Sequence, residues 1–317
     1  MDHDTPHSRD FDASAALHVG RGEDFSDTFC EPLAMTSAYT FASARDAWEK
    51  FTGQQPGNVY SRFTNPTVRA FERRIASLEG AEDAAAFASG MGAIAGLCQA
   101  LLSQGENIVC SRDVFGTTLS ALRNYMGRFG VEVRLVELTD LDAWQRNIDS
   151  RTRLVLLESP SNPVLKIADI GEISRIAHAK GALLAVDNCF ASPALQQPAR
   201  LGADFIIHSG TKYLDGQGRV IAGAICASTH FIDNVFTPVM RSVGMSLSPF
   251  NAWVVLKGME TLGVRMKAQT EAAAALAEWL EKQPGVSRVL YPGLPSHPQH
   301  ELAGKQMAGY GGIVSIV

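Results

Sequence analysis

The sequence of 317 residues predicts an α/β protein built on a mostly parallel, seven-stranded sheet flanked by helices. Seven short apolar runs alternate with longer amphipathic stretches, which is the pattern of βαβ units. Hydrophobic residues make up 46% and charged residues 19% of the chain, as expected of a well-packed globular protein. The length suits one large α/β unit or two domains.

The chain begins with a segment of weak periodicity. Residues 1–62 contain the turn-rich stretches HVGRGEDFSD and TGQQPGN, and we expect them to form an extended N-terminal arm. The stretch TVRAFERRIASLEG then has the apolar spacing of a helix that ends at a glycine. Seven predicted strands follow within residues 63–248, the expected large domain: AAAFAS, NIVCS, VEVRLVEL, RLVLLES, ALLAVDN, DFIIHS and AGAICAS.

After the last predicted strand, residues 249–283 have one long helical pattern, and GVSRVLYPGL then begins a different pattern. We therefore expect residues 249–317 to contain a connecting helix and the start of a smaller C-terminal α+β domain. The final residues, GYGGIVSIV, predict a strand that no partner strand follows, because the sequence stops inside an apolar run. The small domain is therefore expected to be truncated.

The composition argues against several classes of function. The cysteines occur singly, without a C-x-x-C pair, so we expect neither a disulfide framework nor a metal site; they are Cys30, Cys98, Cys110, Cys189 and Cys226. A net charge of −5 without a basic stripe makes nucleic acid a poor partner. No run is long enough to span a bilayer, and the acidic N-terminus is unlike an export signal. These features favour a cytoplasmic protein that acts on small molecules.

Residues with reactive or ligand-binding side chains follow the predicted strands, at the carboxyl ends where open α/β sheets bind ligands. They are Ser89, Gly90, Met91 and Gly92 after the first strand, Asp113 and Phe115 after the second, Asn162 after the fourth, Asp187 after the fifth, and Ser209, Thr211 and Lys212 after the sixth. Together they supply a helix N-terminus and hydroxyls for a phosphate, an aromatic face, a carboxylate and an amine. Pyridoxal 5′-phosphate (PLP) requires all of these, including a carboxylate beside its ring nitrogen and a lysine for a Schiff base with its aldehyde.

Each candidate also has an ordinary structural interpretation. A lysine after a strand is usually solvated or ion-paired, Asp187 can form a turn or a cap, and Asn162 can form a loop. Ser89-Gly90-Met91 can be a tight turn, and Phe115 can fill the core. The joint placement at successive strand ends favours the cofactor site. The amine of Lys212 must lose its proton to react, and a partly desolvated site beside a cofactor promotes that loss.

Five segments resemble the signature segments of the Cys/Met-metabolism family of PLP-dependent enzymes: VYSRFTNPT, ASGMGAI, ESPSNPVLKIADI, AVDNCFASP and HSGTKYLDGQG. The resemblance extends from about residue 15 to the end of the chain. That family includes cystathionine γ-synthase, cystathionine lyases, methionine γ-lyase and the O-acylhomoserine sulfhydrylases. The resemblance implies the PLP-dependent transferase fold, which is aspartate aminotransferase-like and of fold type I.

The resemblance also implies a role for each candidate. Lys212 is expected to hold the cofactor as a Schiff base and later to move protons, Asp187 to pair with the pyridinium nitrogen, and Asn162 to contact the ring hydroxyl. The cofactor phosphate is expected to be held by Gly90, Met91, Ser209 and Thr211, with Ser89 nearby.

Two residues of the YSR segment are implied to serve another subunit. In the family, the counterparts of Tyr60 and Arg62 reach the phosphate of a neighbouring subunit, so the resemblance implies a homotetramer built as a dimer of dimers. Without the resemblance, Tyr60 and Arg62 would be interpreted as a surface turn.

Two departures from the family pattern refine the expected activity. RDVFGTT places Phe115 where many members have a tyrosine, which keeps the flat aromatic face and excludes any role for a phenol. DGQGR, residues 215–219, replaces a G-H-x-D pattern and resembles the O-succinylhomoserine sulfhydrylase branch. The expected reaction is therefore γ-replacement on O-succinylhomoserine with sulfide, giving homocysteine for methionine biosynthesis.

Other functions stay open at this point. Within the family these are cystathionine γ-synthase or γ-lyase activity, an acetyl in place of the succinyl ester, and cysteine or a thiol as sulfur donor. A PLP-binding relative without activity is a further alternative, because the family's arginine for the substrate carboxylate is expected beyond residue 317. Ser209 and Lys212 also fit the S-x-x-K motif of serine acylases, but the accompanying K-T-G and S-D-N segments are absent and the motif follows a strand.

Overall fold

In a computed structural model that describes residues 11–21 and 28–317, the seven apolar runs form the strands of one sheet. The strands are β1 (Asp83–Phe87), β2 (Asn107–Ser111), β3 (Glu132–Val136), β4 (Thr152–Glu158), β5 (Leu183–Asp187), β6 (Phe205–Ser209) and β7 (Gly223–Ala227). Their order is β1-β7-β6-β5-β4-β2-β3, and β7 is antiparallel to both of its neighbours while the other pairs are parallel. The predicted mostly parallel, seven-stranded sheet is confirmed.

Helices connect and cover these strands. Within the described ranges the α-helices are α1 (Ala13–His18), α2 (Ala44–Phe51), α3 (Pro66–Glu79), α4 (Gly90–Leu101), α5 (Gly116–Asn124), α6 (Leu141–Asn147), α7 (Ile170–His178), α8 (Thr229–Phe231), α9 (Thr237–Val243), α10 (Pro249–Met259), α11 (Leu262–Leu280) and α12 (His300–Gln306). Helices α4 to α7 each join two successive strands between β1 and β5, so the predicted βαβ units are present. None of the helices in the described ranges is long and apolar enough to cross a membrane.

Both faces of the sheet are buried. Successive residues of β1 alternate between two cores, because side chains of a strand point to opposite faces. Ala84 and Ala86 pack with α3 and α10, whereas Ala85 and Phe87 pack with α4 and α5. Since helices cover both faces, the edge at which the parallel strands end is the place left for a ligand.

Helix α3 illustrates how the sequence sets the bounds of a helix. Asn65 precedes it, and its side-chain Oδ1 accepts hydrogen bonds from the N–H groups of Thr67 and Val68 at 3.0 and 3.3 Å. Pro66 occupies the first turn, where its missing N–H costs nothing. Gly80 ends the helix with φ +71°, a left-handed conformation that favours glycine. The predicted helix that ends at a glycine is confirmed.

The single helix expected over residues 249–283 is two helices, α10 and α11, with a break at Glu260 and Thr261. Gly258, near the end of α10, lies so close to the segment after β6 that a Cβ there would be 2.4 Å from the carbonyl oxygen of Leu214. Arg265 donates to the Gly258 carbonyl oxygen at 2.8 Å and to the Thr261 hydroxyl at 3.0 Å. These tertiary contacts, which periodicity does not show, stabilise the break.

The N-terminal arm contains the two short helices α1 and α2 among its described residues; residues 1–10 and 22–27 of the predicted arm lie outside them. Glu31 attaches the arm to the rest of the chain, because it is buried and forms ion pairs with Arg74 of α3 and Lys257 of α10. Burial by itself would raise the pKa of Glu31, but hydrogen bonds from Lys257 and Arg74 lower it to about 2. The boundaries 1–62, 63–248 and 249–317 stay predictions.

The final strand has a partner that precedes it in the sequence. Ser315–Ile316 (β9) pairs antiparallel with Val289–Leu290 (β8), and Ser287 donates from its N–H to the carbonyl oxygen of Val317 at 2.8 Å. A small core that includes Ala273 of α11 and Tyr291 lies against this pair.

Candidate active site

The carboxyl end of β1 and the start of helix α4 form a concave backbone surface. Ser89 caps the helix, and its Oγ accepts the N–H of Gly92 at 2.9 Å. The N–H groups of Gly90 and Met91 belong to the first turn, which has no preceding carbonyls to bond. Gly90 lies against the end of β6, where a Cβ would be 2.9 Å from the Cβ of Ser209. The structure therefore brings Ser89, Gly90 and Ser209 together, and it requires glycine at position 90.

The lysine singled out in the sequence lies in a turn directly after β6. Its backbone N–H donates to the carbonyl oxygen of Ser209 at 3.2 Å, and its own carbonyl oxygen accepts from Gly216 at 2.8 Å. The Thr211 Oγ1 accepts the N–H of Ala222 at 3.2 Å, and the Lys212 residue itself is exposed. Ser209, Thr211 and Lys212 therefore occupy one turn. The Lys212 amine is accessible from the sheet edge.

The DGQGR segment closes the loop that follows the lysine. Asp215 is fully buried, and its carboxylate accepts from both the backbone N–H of Arg219 at 2.7 Å and the Arg219 Nε at 2.8 Å. Gly216, with φ +72°, lies directly against the Arg265 guanidinium. The arginine of this segment is therefore held by Asp215 and stabilises the loop that carries Lys212.

Asp187 and Glu158 place two carboxyl groups side by side at this edge. They are register partners at the ends of β5 and β4. Burial raises the pKa of Asp187, and burial together with the charge of Asp187 raises the pKa of Glu158 to about 9. Cys189 links Asp187 to the lysine turn, because its N–H donates to Asp187 Oδ1 at 3.0 Å and its Sγ accepts the N–H of Ser209 at 2.8 Å.

A buried network of hydrogen-bonded polar side chains lies next to the carboxyl ends of β5 and β6. Asn188 donates to Glu79 Oε1 at 2.8 Å, and His208 contacts the same oxygen through Nε2. Gln196 donates to Asn188 Oδ1 at 3.0 Å, and all four side chains are buried. Because these groups bond one another, they fix the strand ends that carry Asp187.

Phe115 and Asn162 lie on loops next to this cluster. The Phe115 side chain is 46% exposed at the start of α5, so it is not the core residue of the alternative interpretation. Its N–H donates to Glu158 Oε2 at 2.7 Å, which connects it to the two carboxyl groups. Asn162 is half-buried in the turn after β4, which a hydrogen bond from the Ser161 N–H to the Lys166 carbonyl oxygen at 3.0 Å closes.

Tyr60 and Arg62 lie at a different place. Arg62 packs over the rings of Tyr60 and Phe63, 5.3 and 4.9 Å from their centroids, and donates to the carbonyl oxygen of Arg241. Arg62 and Arg241 line a cavity of about 400 Å³. In the part of the chain that the structure describes, the contacts of Arg62 run to these neighbours and not to Lys212.

The residues at the sheet edge fit PLP. The first-turn N–H groups of α4 and the hydroxyls of Ser209 and Thr211 suit a phosphate. Asp187 has a carboxyl group suited to a ring nitrogen, and the Lys212 amine is accessible in the same group of loops.

The chain belongs to the Cys/Met metabolism PLP-dependent enzyme family, whose model matches residues 13–317. The O-succinylhomoserine sulfhydrylase of Pseudomonas aeruginosa is 56% identical over 300 residues, which are 95% of this chain and 74% of that protein. The O-succinylhomoserine sulfhydrylase of Mycobacterium tuberculosis strain H37Rv is 43% identical over 291 residues, 92% of this chain and 71% of that protein.

The fold of the chain matches that of a solved relative. The crystal structure of metB from Corynebacterium glutamicum superposes with a TM-score of 0.92 at 34% identity, over 98% of this chain and 78% of that one. The predicted PLP-dependent transferase fold is thus confirmed, and PLP is the cofactor of this enzyme.

Sequence reasoning missed Glu158, Cys189 and the network around Glu79. Glu158 is the last residue of β4, so the rule that drew attention to strand ends was sufficient to find it. Cys189 follows β5 by two residues, but a single thiol outside any cysteine motif does not indicate a site. Glu79 gave no such signal, since it ends a helix that is distant from the site in sequence.

Proposed function

We propose that this enzyme catalyses γ-replacement on O-succinylhomoserine with sulfide, which yields homocysteine and succinate. In this reaction the Cγ–O bond of the ester breaks, succinate leaves with the bonding electrons, and sulfide forms the new Cγ–S bond. The observation that carries the proposal is the meeting of Gly90, Asp187 and Lys212 at one sheet edge. The choice of substrate rests on the sulfhydrylase relatives and on the DGQGR loop.

The proposed role of each residue is consistent with its position. The N–H groups of Gly90 and Met91 and the hydroxyls of Ser209 and Thr211 bind the cofactor phosphate, with Ser89 fixing the helix start. When bound, PLP supplies an electron sink for the negative charge that develops at the substrate Cα. Lys212 anchors the cofactor and is the catalytic residue, because its amine on a mobile four-carbon stem takes the Cα proton and returns a proton later.

Three further residues complete the proposed ring site. Asp187 would pair with the ring nitrogen, where a carboxylate favours the protonated nitrogen. Phe115 would cover the cofactor ring, because its exposed phenyl face is free to stack. Asn162 would contact the ring hydroxyl from its turn after β4.

We propose that Tyr60 and Arg62 bind the phosphate of a neighbouring subunit in a homotetramer built as a dimer of dimers, located in the cytoplasm. The contacts of Arg62 with Phe63 and Arg241, away from Lys212, support this arrangement. A site built across two subunits makes dimerisation necessary for activity.

The test is an assay of purified, PLP-supplemented protein with O-succinyl- or O-acetylhomoserine and with sulfide or cysteine. Homocysteine from the succinyl ester and sulfide, absent with Lys212→Ala, is the expected product. Cystathionine from cysteine would indicate the synthase alternative, and 2-oxobutanoate as the main product even in the presence of sulfide or cysteine would indicate the lyase alternative. A protein that binds PLP and forms none of these products would contradict the proposed function and support the inactive relative.

A further inference from the structure

Glu158 is a buried carboxyl group to which the proposed reaction gives no role. It is 3% exposed at the end of β4, and its Oε2 accepts the N–H of Phe115 at 2.7 Å. Its register partner in β5 is Asp187. One side chain thus bonds the segment that carries the aromatic ring and stands beside the carboxylate assigned to the ring nitrogen.

We propose that Glu158 is a positioning residue for the cofactor: its carboxyl group fixes the backbone of Phe115 and, beside Asp187, sets where the cofactor ring is held. This inference rests on the proposed function, since Phe115 and Asp187 are the residues assigned there to the ring.

The contact with Phe115 matters because it is the bond made by the N–H of that residue, whose carbonyl oxygen accepts N–H groups from the first turn of α5. Its side chain is 46% exposed, and it precedes α5 without a side-chain cap of its own. Gly116 follows in open space, where a Cβ would meet no atom within 4 Å. Val114, which is buried, fixes the chain just before this point. Glu158 therefore fixes the N–H of Phe115, which is the contact that the N3 side chain makes with the residue before a helix in a capping box.

The surroundings determine the charge of Glu158. The titratable groups that face it are Asp187, Cys110 and Cys189. Burial raises the pKa of both thiols, so they are neutral at pH 7. Burial and the charge of Asp187 raise the pKa of Glu158 to about 9, against the opposing effect of the Phe115 N–H. Glu158 thus keeps its proton at neutral pH, still accepts from Phe115, and adds no second charge beside Asp187.

The test compares two substitutions, one that changes the ability of the side chain at position 158 to ionise and one that changes its length. Glu158→Gln keeps the length and an acceptor oxygen but cannot ionise. Glu158→Asp keeps the carboxyl group but is one methylene too short to reach the Phe115 N–H. Glu106→Gln is the matched control, because Glu106 also accepts a backbone N–H, from Ser103 at 2.8 Å, at a site far from the lysine turn. The dissociation constant of PLP and the visible circular dichroism of the bound cofactor are measured for each, with far-ultraviolet circular dichroism to verify folding.

We expect Glu158→Gln and Glu106→Gln to bind PLP within about threefold of wild type, with the same visible circular dichroism. Glu158→Asp is expected to bind at least about tenfold more weakly, with an altered visible spectrum. Wild-type affinity and spectrum in Glu158→Asp would overturn the inference, as would an equal loss in Glu158→Gln and Glu158→Asp. Absence of PLP binding by the wild type would instead overturn the proposed function, so the two failures are distinguishable.

Discussion

At the scale of single residues, the site requires a position without a side chain. Gly90 has no side chain, and this allows the first turn of α4 to lie against Ser209 at the end of β6. The hydroxyl of Ser209 and the free N–H groups of the helix then face the same space. Any larger residue at position 90 must separate the two elements.

Gly90→Ala is therefore expected to weaken PLP binding by about tenfold or more, equivalent to ~1.4 kcal/mol. The added Cβ would lie 2.9 Å from the Ser209 Cβ, so the helix start must move away from the hydroxyl. Gly127→Ala is the control, since a Cβ there meets nothing within 4 Å. Fluorescence titration of the cofactor-free proteins with PLP measures the effect, and equal affinities for the two variants would be inconsistent with a phosphate site at Gly90.

The raised pKa of Glu158 predicts a pH-dependent stability of the cofactor-free protein. A carboxyl whose pKa rises from 4.5 in the unfolded chain to about 9 in the folded one holds its proton more tightly when folded. Its contribution to stability is complete below about pH 4.5 and is lost as the pH rises towards 9. The melting temperature of Glu158→Gln should thus exceed that of wild type by several degrees at pH 8 and by much less at pH 5. A difference that does not change with pH would show that Glu158 is ionised in the fold.

Individual residues also show which parts of the site can be predicted from the sequence. The structure brings Gly90, Asp187, Ser209 and Lys212 together because the ends of parallel strands share one edge, a rule that needs no coordinates. The role of Glu79 could not be predicted from the sequence, because it depends on a contact with His208, 129 positions further along the chain. Long-range hydrogen bonds of this kind leave no local pattern.

At the scale of elements, buried charges connect the N-terminal arm to the helices behind the sheet. Arg74 of α3 is fully buried, and Glu31 of the arm is its ion-pair partner. Lys257 of α10 pairs with the same carboxylate. An arginine buried without its partner is expensive, so these contacts specify where the arm lies.

Glu31→Gln is expected to lower the free energy of unfolding by about 3 kcal/mol, because the buried Arg74 guanidinium then keeps only the more distant carboxylate of Glu260, at 3.7 Å. Glu49→Gln, which removes an exposed pair with Arg45, should cost under about 1 kcal/mol. Since the pKa of Glu31 falls from 4.5 to about 2 on folding, its stabilisation is present above pH 4.5 and lost as the pH falls towards 2. Urea unfolding at pH 7 and pH 3 measures both effects, and equal costs for the two variants at pH 7 would refute the role of Glu31.

The helices and strands were predicted well where apolar periodicity determines their bounds. They were predicted less well where tertiary contacts determine those bounds. The seven strands and α3 follow from apolar spacing and a terminal glycine. The break between α10 and α11 does not, because apolar spacing continues across it. It is fixed by the approach of Gly258 to Leu214 and by bonds from Arg265.

At the scale of the whole molecule, helices cover both faces of the sheet, so the proposed active site lies at the edge where the parallel strands end. Tyr60 and Arg62 lie apart from this edge. The proposed oligomer would bring the YSR segment of one subunit to the lysine turn of another. This predicts that two inactive variants can restore each other's activity.

Arg62→Ala and Lys212→Ala proteins, each inactive alone, should regain activity when they are unfolded together and refolded as hybrids. In a hybrid dimer, one site receives Lys212 from one subunit and Arg62 from the other. Recovery of about a quarter of the wild-type rate is expected from random pairing of two chains. No recovery, in a mixture that forms dimers by light scattering, would place Arg62 and Lys212 in the site of the same subunit.

The most direct measurement locates the cofactor on the chain. The PLP-loaded protein is reduced with borohydride and digested, and the modified peptide is identified by mass spectrometry. The predicted result is a single cofactor adduct on Lys212, which disappears in Lys212→Ala. An adduct on another lysine, or no adduct on a protein that is folded and supplied with PLP, would contradict the assignment of this sheet edge as the active site.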